Sequence, residues 1–90
     1  MHTDEYEISL SREITICKRV IRGIREKLQQ REEHFGVTWA GIREGQKKPA
    51  IDEREMRAWQ EDFEALPQWE QRLAEYRQAL AVMRVSASQF

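Results

Sequence analysis

The feature that most constrains the fold is an apolar repeat with spacings of three and four residues. Its members are Leu10, Ile14, Cys17, Ile21, Ile24 and Leu28, with Phe35 one heptad after Leu28. This spacing places the apolar side chains on one stripe of an α-helix, as in a coiled coil. Gly36 follows and suits the left-handed position that commonly ends a helix. The repeat predicts a helix over about residues 9–35. Apolar and polar residues alternate over residues 6–10, which leaves strand and helix both open there.

A second helix is predicted from about residue 52. Asp52 can cap the helix, and Glu55 stands three residues later, where the partner in a capping box belongs. Ile51 precedes the cap and Met56 lies at the fourth helical position, which is the arrangement of a hydrophobic staple. The three signals agree on one boundary.

The apolar stripe of the second helix continues on both sides of a proline, Pro67. Its members are Met56, Trp59, Phe63, Leu66, Trp69, Leu73, Tyr76, Leu80 and Met83. Proline has no backbone N–H and disfavours a helical residue before it, so we expect the helix to be kinked or broken at Pro67. We therefore predict helices over about residues 52–66 and 67–86. The kink is the favoured alternative, because the stripe slips by only one residue across the proline.

The segment 36–51 connects the two patterns and holds three of the four glycines and one of the two prolines. Sixteen residues are many for a helix–helix connection, where about 2–8 are typical. Its apolar residues Val37, Trp39 and Ile42 argue against disorder. We expect an ordered loop, and the sequence leaves open whether it contains a short helix.

Charge segregation predicts how the helices pair. Residues 12–31 hold seven basic and two acidic residues, whereas residues 52–75 hold eight acidic and three basic ones. An antiparallel hairpin places these segments side by side, and such complementarity orients the pairing more than it stabilises it. The predicted fold is an all-α antiparallel helical hairpin that forms one domain over residues 1–90.

A hairpin of this size is expected to need a partner. A chain this short buries only about 60–65% of the surface that its unfolded form exposes, and the single cysteine cannot form an internal disulfide. Apolar residues also extend beyond one stripe, which favours a homodimer that forms a four-helix bundle. The candidate dimer-interface residues are Ile16, Val20, Gly23, Leu80, Val82 and Val85.

The sequence offers little catalytic chemistry, so we expect neither an enzyme nor a cofactor or metal site. Cys17 lies in the apolar repeat and His34 lies near a helix C-terminus, where a structural role suffices. No pair of histidines or carboxylate and histidine has the spacing of metal ligands on one helix face. The net charge of −1, the lone cysteine and the absence of a signal peptide or membrane span favour a cytoplasmic protein.

The connecting segment is the candidate contact site for an unknown protein partner. Trp39 belongs to a residue type that is enriched at binding hot spots, and Arg43, Lys47 and Lys48 give the segment positive charge. The alternative is that Trp39 packs on Phe35 and closes the end of the hairpin. The favoured function is a non-enzymatic protein–protein interaction module.

Residues 35–49 also resemble the helix-turn-helix region of phage-repressor-like DNA-binding proteins. The resemblance rests on Gly36-Val37-Thr38, which matches the turn of that family, and on Gly45 followed by Lys47, Lys48 and Pro49. It implies a DNA-associated accessory or regulatory protein that uses Arg43, Lys47 and Lys48. Nucleic acid is the less favoured partner.

Overall fold

A computed structural model of the chain describes the backbone of residues 4–88 and the side chains of residues 5–85. The described part consists of three helices without a strand: α1 (Asp4–Phe35), α2 (Trp39–Arg43) and α3 (Glu53–Ser88). The two long helices pack against each other, and α2 lies against α3 near the connection. The architecture is the predicted all-α helical hairpin.

Three ion pairs show that α1 and α3 run antiparallel. Arg31 Nη1 lies 2.7 Å from Asp62 Oδ2, and Arg25 Nη2 lies 2.6 Å from Glu70 Oε2. Nearer the chain termini, Arg84 Nε lies 3.6 Å from Glu7 Oε1. The residue numbers of the partners on α3 therefore increase as those on α1 decrease. Two of the pairs join the basic segment of α1 to the acidic segment of α3, as the charge segregation predicts.

The hydrophobic core lies at the connected end of the hairpin. Its buried members are Ile24, Leu28, Trp39, Ile42 and Trp59. The Trp59 side chain is fully buried, with its ring centre 5.6 Å from those of both Phe35 and Trp39. Within the described residues its indole N–H has no hydrogen-bond acceptor, at a cost of about 1–3 kcal/mol. The packing around three aromatic rings outweighs that cost.

The N-terminal segment is helical from Asp4, five residues before the predicted start. This resolves residues 6–10 as helix rather than strand. A strand needs a neighbouring strand for its backbone hydrogen bonds, and the neighbour here is α3, which runs alongside as far as the contact between Glu7 and Arg84. The alternation of apolar residues was therefore too short a signal.

The second long helix begins as predicted but continues through Pro67. Asp52 Oδ1 accepts a hydrogen bond from the backbone N–H of Glu55 at 2.8 Å, which is the predicted cap. Of the two alternatives at Pro67, a break into helices 52–66 and 67–86 is not found, because α3 is one continuous helix with Pro67 inside it. Pro67 is exposed, and the flanking Leu66 and Trp69 both pack against the core cluster. Packing on both sides holds the helix together across the missing hydrogen bond.

The molecule is a rod rather than a globule, with extents of 60 × 20 × 18 Å. Its radius of gyration is 18.4 Å, whereas a compact domain of this length has about 12 Å. The solvent-accessible surface is 7158 Å², compared with about 5,500 Å² for a typical globular monomer of this mass. Two long helices with one small core cannot cover their own surface.

Replacing Pro67 with alanine is expected to stabilise the protein. The substitution restores a backbone donor at an exposed position of a continuous helix, where proline costs up to about 3 kcal/mol relative to alanine. Urea denaturation at fixed protein concentration measures the change in unfolding free energy. Gln68→Ala, the neighbouring exposed position, is the control and should stay within about 0.5 kcal/mol of the wild type. A loss above about 1 kcal/mol in Pro67→Ala would show that the proline supports the fold.

Candidate functional site

The connecting segment is ordered by local hydrogen bonds. Gly36 has a φ of +71° and ends α1, with its N–H donating to the carbonyl of Glu32 at 2.8 Å. Thr38 then caps α2, because its hydroxyl oxygen accepts the N–H of Gly41 at 2.9 Å. The loop therefore contains a short helix, the point that the sequence leaves open.

The aromatic residue predicted as a contact anchor is part of the core. Trp39 is only 8% exposed and its ring lies 5.6 Å from that of Trp59. Ile42, one turn later, is equally buried. Trp39 is therefore largely buried, as in the alternative in which it closes the hairpin, and it also lines a shallow cleft with Lys48 and Met56.

The basic residues of the connecting segment are exposed but do not converge. Arg43 ends α2, whereas Lys47 and Lys48 follow in the irregular stretch before α3. Lys48 borders a shallow cleft together with Met56 and Arg57 of α3, and neither Arg43 nor Lys47 lines it. The segment presents separate positive charges rather than one built pocket.

One flank of the hairpin is apolar near the middle of α1. Ile16, Val20 and Gly23 are spaced by four and three residues, so they share one face of α1. The Arg31–Asp62 ion pair joins α1 to α3 and marks one flank of the hairpin. At about 100° per residue, Val20 lies only about 20° around α1 from Arg31, so it belongs to the same flank. Trp69 lies about 20° around α3 from Asp62 by the same measure. Half-buried Val20 and Trp69 thus border the same flank.

The opposite flank is a charged groove. Its main lining residues are Lys18, Arg22 and Arg25 of α1 with Glu70 and Arg77 of α3. The three basic residues of α1 each stand two positions after Ile16, Val20 and Gly23, which places them about 200° further around the helix. The two flanks therefore differ sharply in polarity.

The candidate interface residues of α3 do not form one surface. Leu80 is half-buried, whereas Val82 and Val85 are 54% and 58% exposed. Val82 lies about 200° around the helix from Leu80. The structure therefore separates these residues, while Ile16, Val20 and Gly23 remain together.

Sequence reasoning missed two charged residues on the apolar flank. Glu13 and Lys27 continue the spacing of Ile16, Val20 and Gly23, so that five positions follow one another at intervals of three, four, three and four residues. The signal was present as a second heptad stripe beside the first one. It is inconspicuous because only its central positions are apolar or small.

Other chemistry-bearing groups have structural positions. Cys17 is a free thiol that is 1% exposed, and the ring of His34 contacts that of Phe35 edge-on at 4.7 Å. Within residues 4–88 no three histidine, cysteine, aspartate or glutamate residues are grouped so as to hold a metal ion. None of the described helices combines the length and the apolar character needed to cross a membrane.

Comparison with known proteins gives no assignment. No protein-family model matches the chain, and neither a curated protein nor a solved structure is similar to it. The two flanks and the connecting segment are therefore the features from which a function can be inferred.

Trp39→Ala is expected to lower the unfolding free energy by about 3–5 kcal/mol, as for other large aromatic residues removed from a core. The double substitution Lys47→Glu and Lys48→Glu is the control on the same segment, and it should stay within about 0.5 kcal/mol because both side chains are exposed. Thermal and urea melts followed by circular dichroism measure both variants. If Trp39→Ala unfolds like the wild type, its packing on Trp59 is not structural.

Proposed function

We propose that this chain is a non-enzymatic protein–protein interaction module. The observation that carries the proposal is the distribution of apolar surface. Among the described side chains, the five large hydrophobic residues that stay well exposed lie in the halves of α1 and α3 away from the connection: Tyr6, Ile8, Ile16, Val82 and Val85. The core is concentrated at the other end. The hairpin closes itself at one end and offers apolar surface at the other.

The total accessible surface of the hairpin, polar and apolar together, is large enough for association. The accessible area exceeds that of a typical globular monomer by about 1,600 Å², and a standard protein–protein interface buries about 800 Å² on each partner. Exposed apolar surface beyond a few hundred Å² is uncommon in soluble monomers. Covering part of it with another protein would compensate for the small core.

The reducing cytoplasm is the proposed location. Cys17 is unpaired and buried, and free cysteines persist where thiols are kept reduced. Buried in an apolar seam, the thiol behaves as a small hydrophobic group.

DNA association is the second candidate function. The turn at Gly36, the capped helix α2 and the exposed Arg43, Lys47 and Lys48 favour it. Against it, α2 has five residues, and its Trp39, Gly41 and Ile42 are buried, which leaves little helix surface to enter a groove. DNA binding that weakens steeply with salt, and that Lys47→Glu with Lys48→Glu abolishes, would support this candidate.

Ile16→Glu is expected to disrupt complex formation while leaving the hairpin folded. Ile16 is 38% exposed and lies outside the core cluster, so a charge there acts mainly on a partner surface. The mass of the tagged protein is measured by sedimentation, both purified and in extract of its native host. The wild type should sediment above the mass of one tagged chain, of which the protein itself contributes 10.8 kDa, and Ile16→Glu should sediment at that monomer mass.

Thr15→Glu provides the matched control, because Thr15 is exposed and lies about 100° around α1 from Ile16. It should form complexes like the wild type. A wild-type chain that is monomeric both purified and in extract would contradict the proposed function.

A further inference from the structure

We infer that the partner is a second copy of this chain, bound α1 against α1 in antiparallel orientation about a two-fold axis at Val20. This inference rests on the proposed function, since it names the partner of the same apolar flank. It is carried by a self-complementary pattern on α1. In a two-fold interface, whatever residue i contacts on its partner must in turn contact residue i.

The second heptad stripe of α1 is symmetric about Val20. Ile16 and Gly23 lie four and three residues from it, and Glu13 and Lys27 lie seven residues from it in opposite directions. Antiparallel pairing centred on Val20 therefore places Ile16 of each copy near Gly23 of the other. It also places Glu13 of each copy near Lys27 of the other. The pattern matches itself when it is reversed.

The central positions are complementary in shape. A Cβ atom built at Gly23 would meet nothing within 4 Å in the single hairpin, so the glycine leaves open space on this face. Ile16 is 38% exposed and supplies a side chain to fill such a space on a second copy. Glycine is unfavourable inside a helix by about 1 kcal/mol, and close approach of a second helix explains its presence.

The flanking charges are complementary between two copies of α1, and they form no ion pair within the described part of one chain. Glu13 and Lys27 are separated by about 21 Å along α1, at about 1.5 Å per residue, and neither forms an ion pair with another described residue. In the antiparallel dimer the two opposite charges meet twice, once on each side of the axis. Charge complementarity of this kind sets orientation and register.

The length of α1 agrees with the same axis. Its 32 residues from Asp4 to Phe35 have their midpoint beside Val20, so that two helices centred there overlap over their full length. Tyr6, which is 58% exposed, then lies opposite His34 of the second copy. His34 borders a shallow cleft with Lys27, Gln30 and Phe35, which provides room for the tyrosine ring.

The two stripes of α1 also suit a four-helix bundle. The first stripe, which contacts α3, and the second stripe are centred about 100° apart around the helix, because they are offset by one residue. A helix at the corner of a square bundle contacts two neighbours at about that angle. The neighbours are α3 of its own chain and α1 of the second copy.

Reversing the two charges separately and together tests this register. Glu13→Lys and Lys27→Glu should each raise the dimer dissociation constant roughly tenfold, because each replaces two attractive pairs with two repulsive ones. The double variant should return to within about threefold of the wild type, since the opposite charges then meet again in exchanged positions. Sedimentation equilibrium at low salt measures all four proteins.

The matched controls reverse the same charges elsewhere on α1. Lys18 and Glu26 both line the charged groove on the opposite flank, so Lys18→Glu and Glu26→Lys should each dimerise like the wild type. Gly23→Leu should keep the hairpin folded, because leucine favours helices and a Cβ at this position meets no atom within 4 Å in the single chain, yet it should weaken dimerisation at least tenfold.

Three outcomes would overturn the inference. These are a purified wild-type chain that stays monomeric at micromolar concentration, a double charge reversal that fails to restore dimerisation lost in the single variants, and a Gly23→Leu dimer as tight as the wild type. The first outcome, together with a complex in host extract that Ile16→Glu abolishes, would leave the proposed function standing with a different partner. Absence of any complex in both samples would remove the function as well.

Discussion

The packing of Trp59 between Phe35 and Trp39 is the interaction on which the rest of the structure depends. It joins the end of α1, the short helix α2 and the start of α3 in one cluster. Without it, the connection between the long helices would have no buried anchor. The cost of one unpaired indole N–H is small beside the apolar surface that three aromatic rings remove from water.

Concentrating the core at one end has consequences for the other. Beyond Trp59, no described residue of α3 is fully buried, although α1 keeps Leu10, Cys17 and Ile21 covered. The ion pairs that join the outer parts of the helices are exposed or half-exposed, and such pairs contribute about 0–1 kcal/mol each. A two-helix rod of this kind is well packed at the connected end and poorly packed at the other. Small folds commonly stabilise such a poorly packed part by association.

The two flanks of the hairpin differ in polarity and therefore suit different contacts. The groove lined by Lys18, Arg22 and Arg25 is charged and open to solvent. The flank of Ile16, Val20 and Gly23 is apolar and carries opposite charges at its two ends. That difference is why the proposed contact lies on one side of α1 and not around it.

The sequence by itself determined the hairpin. The heptad repeat predicts a helix, Asp52 caps the start of the next one, and the segregated charges predict that the two pair antiparallel. It also identified Ile16, Val20 and Gly23 as a surplus apolar stripe. Only the tertiary structure decided that Trp39 is buried, which of the two alternatives holds at Pro67, and that Val82 lies on a different side from Leu80. Each of these depends on which distant part of the chain packs against the residue. The spacing of residues along the sequence does not identify that part.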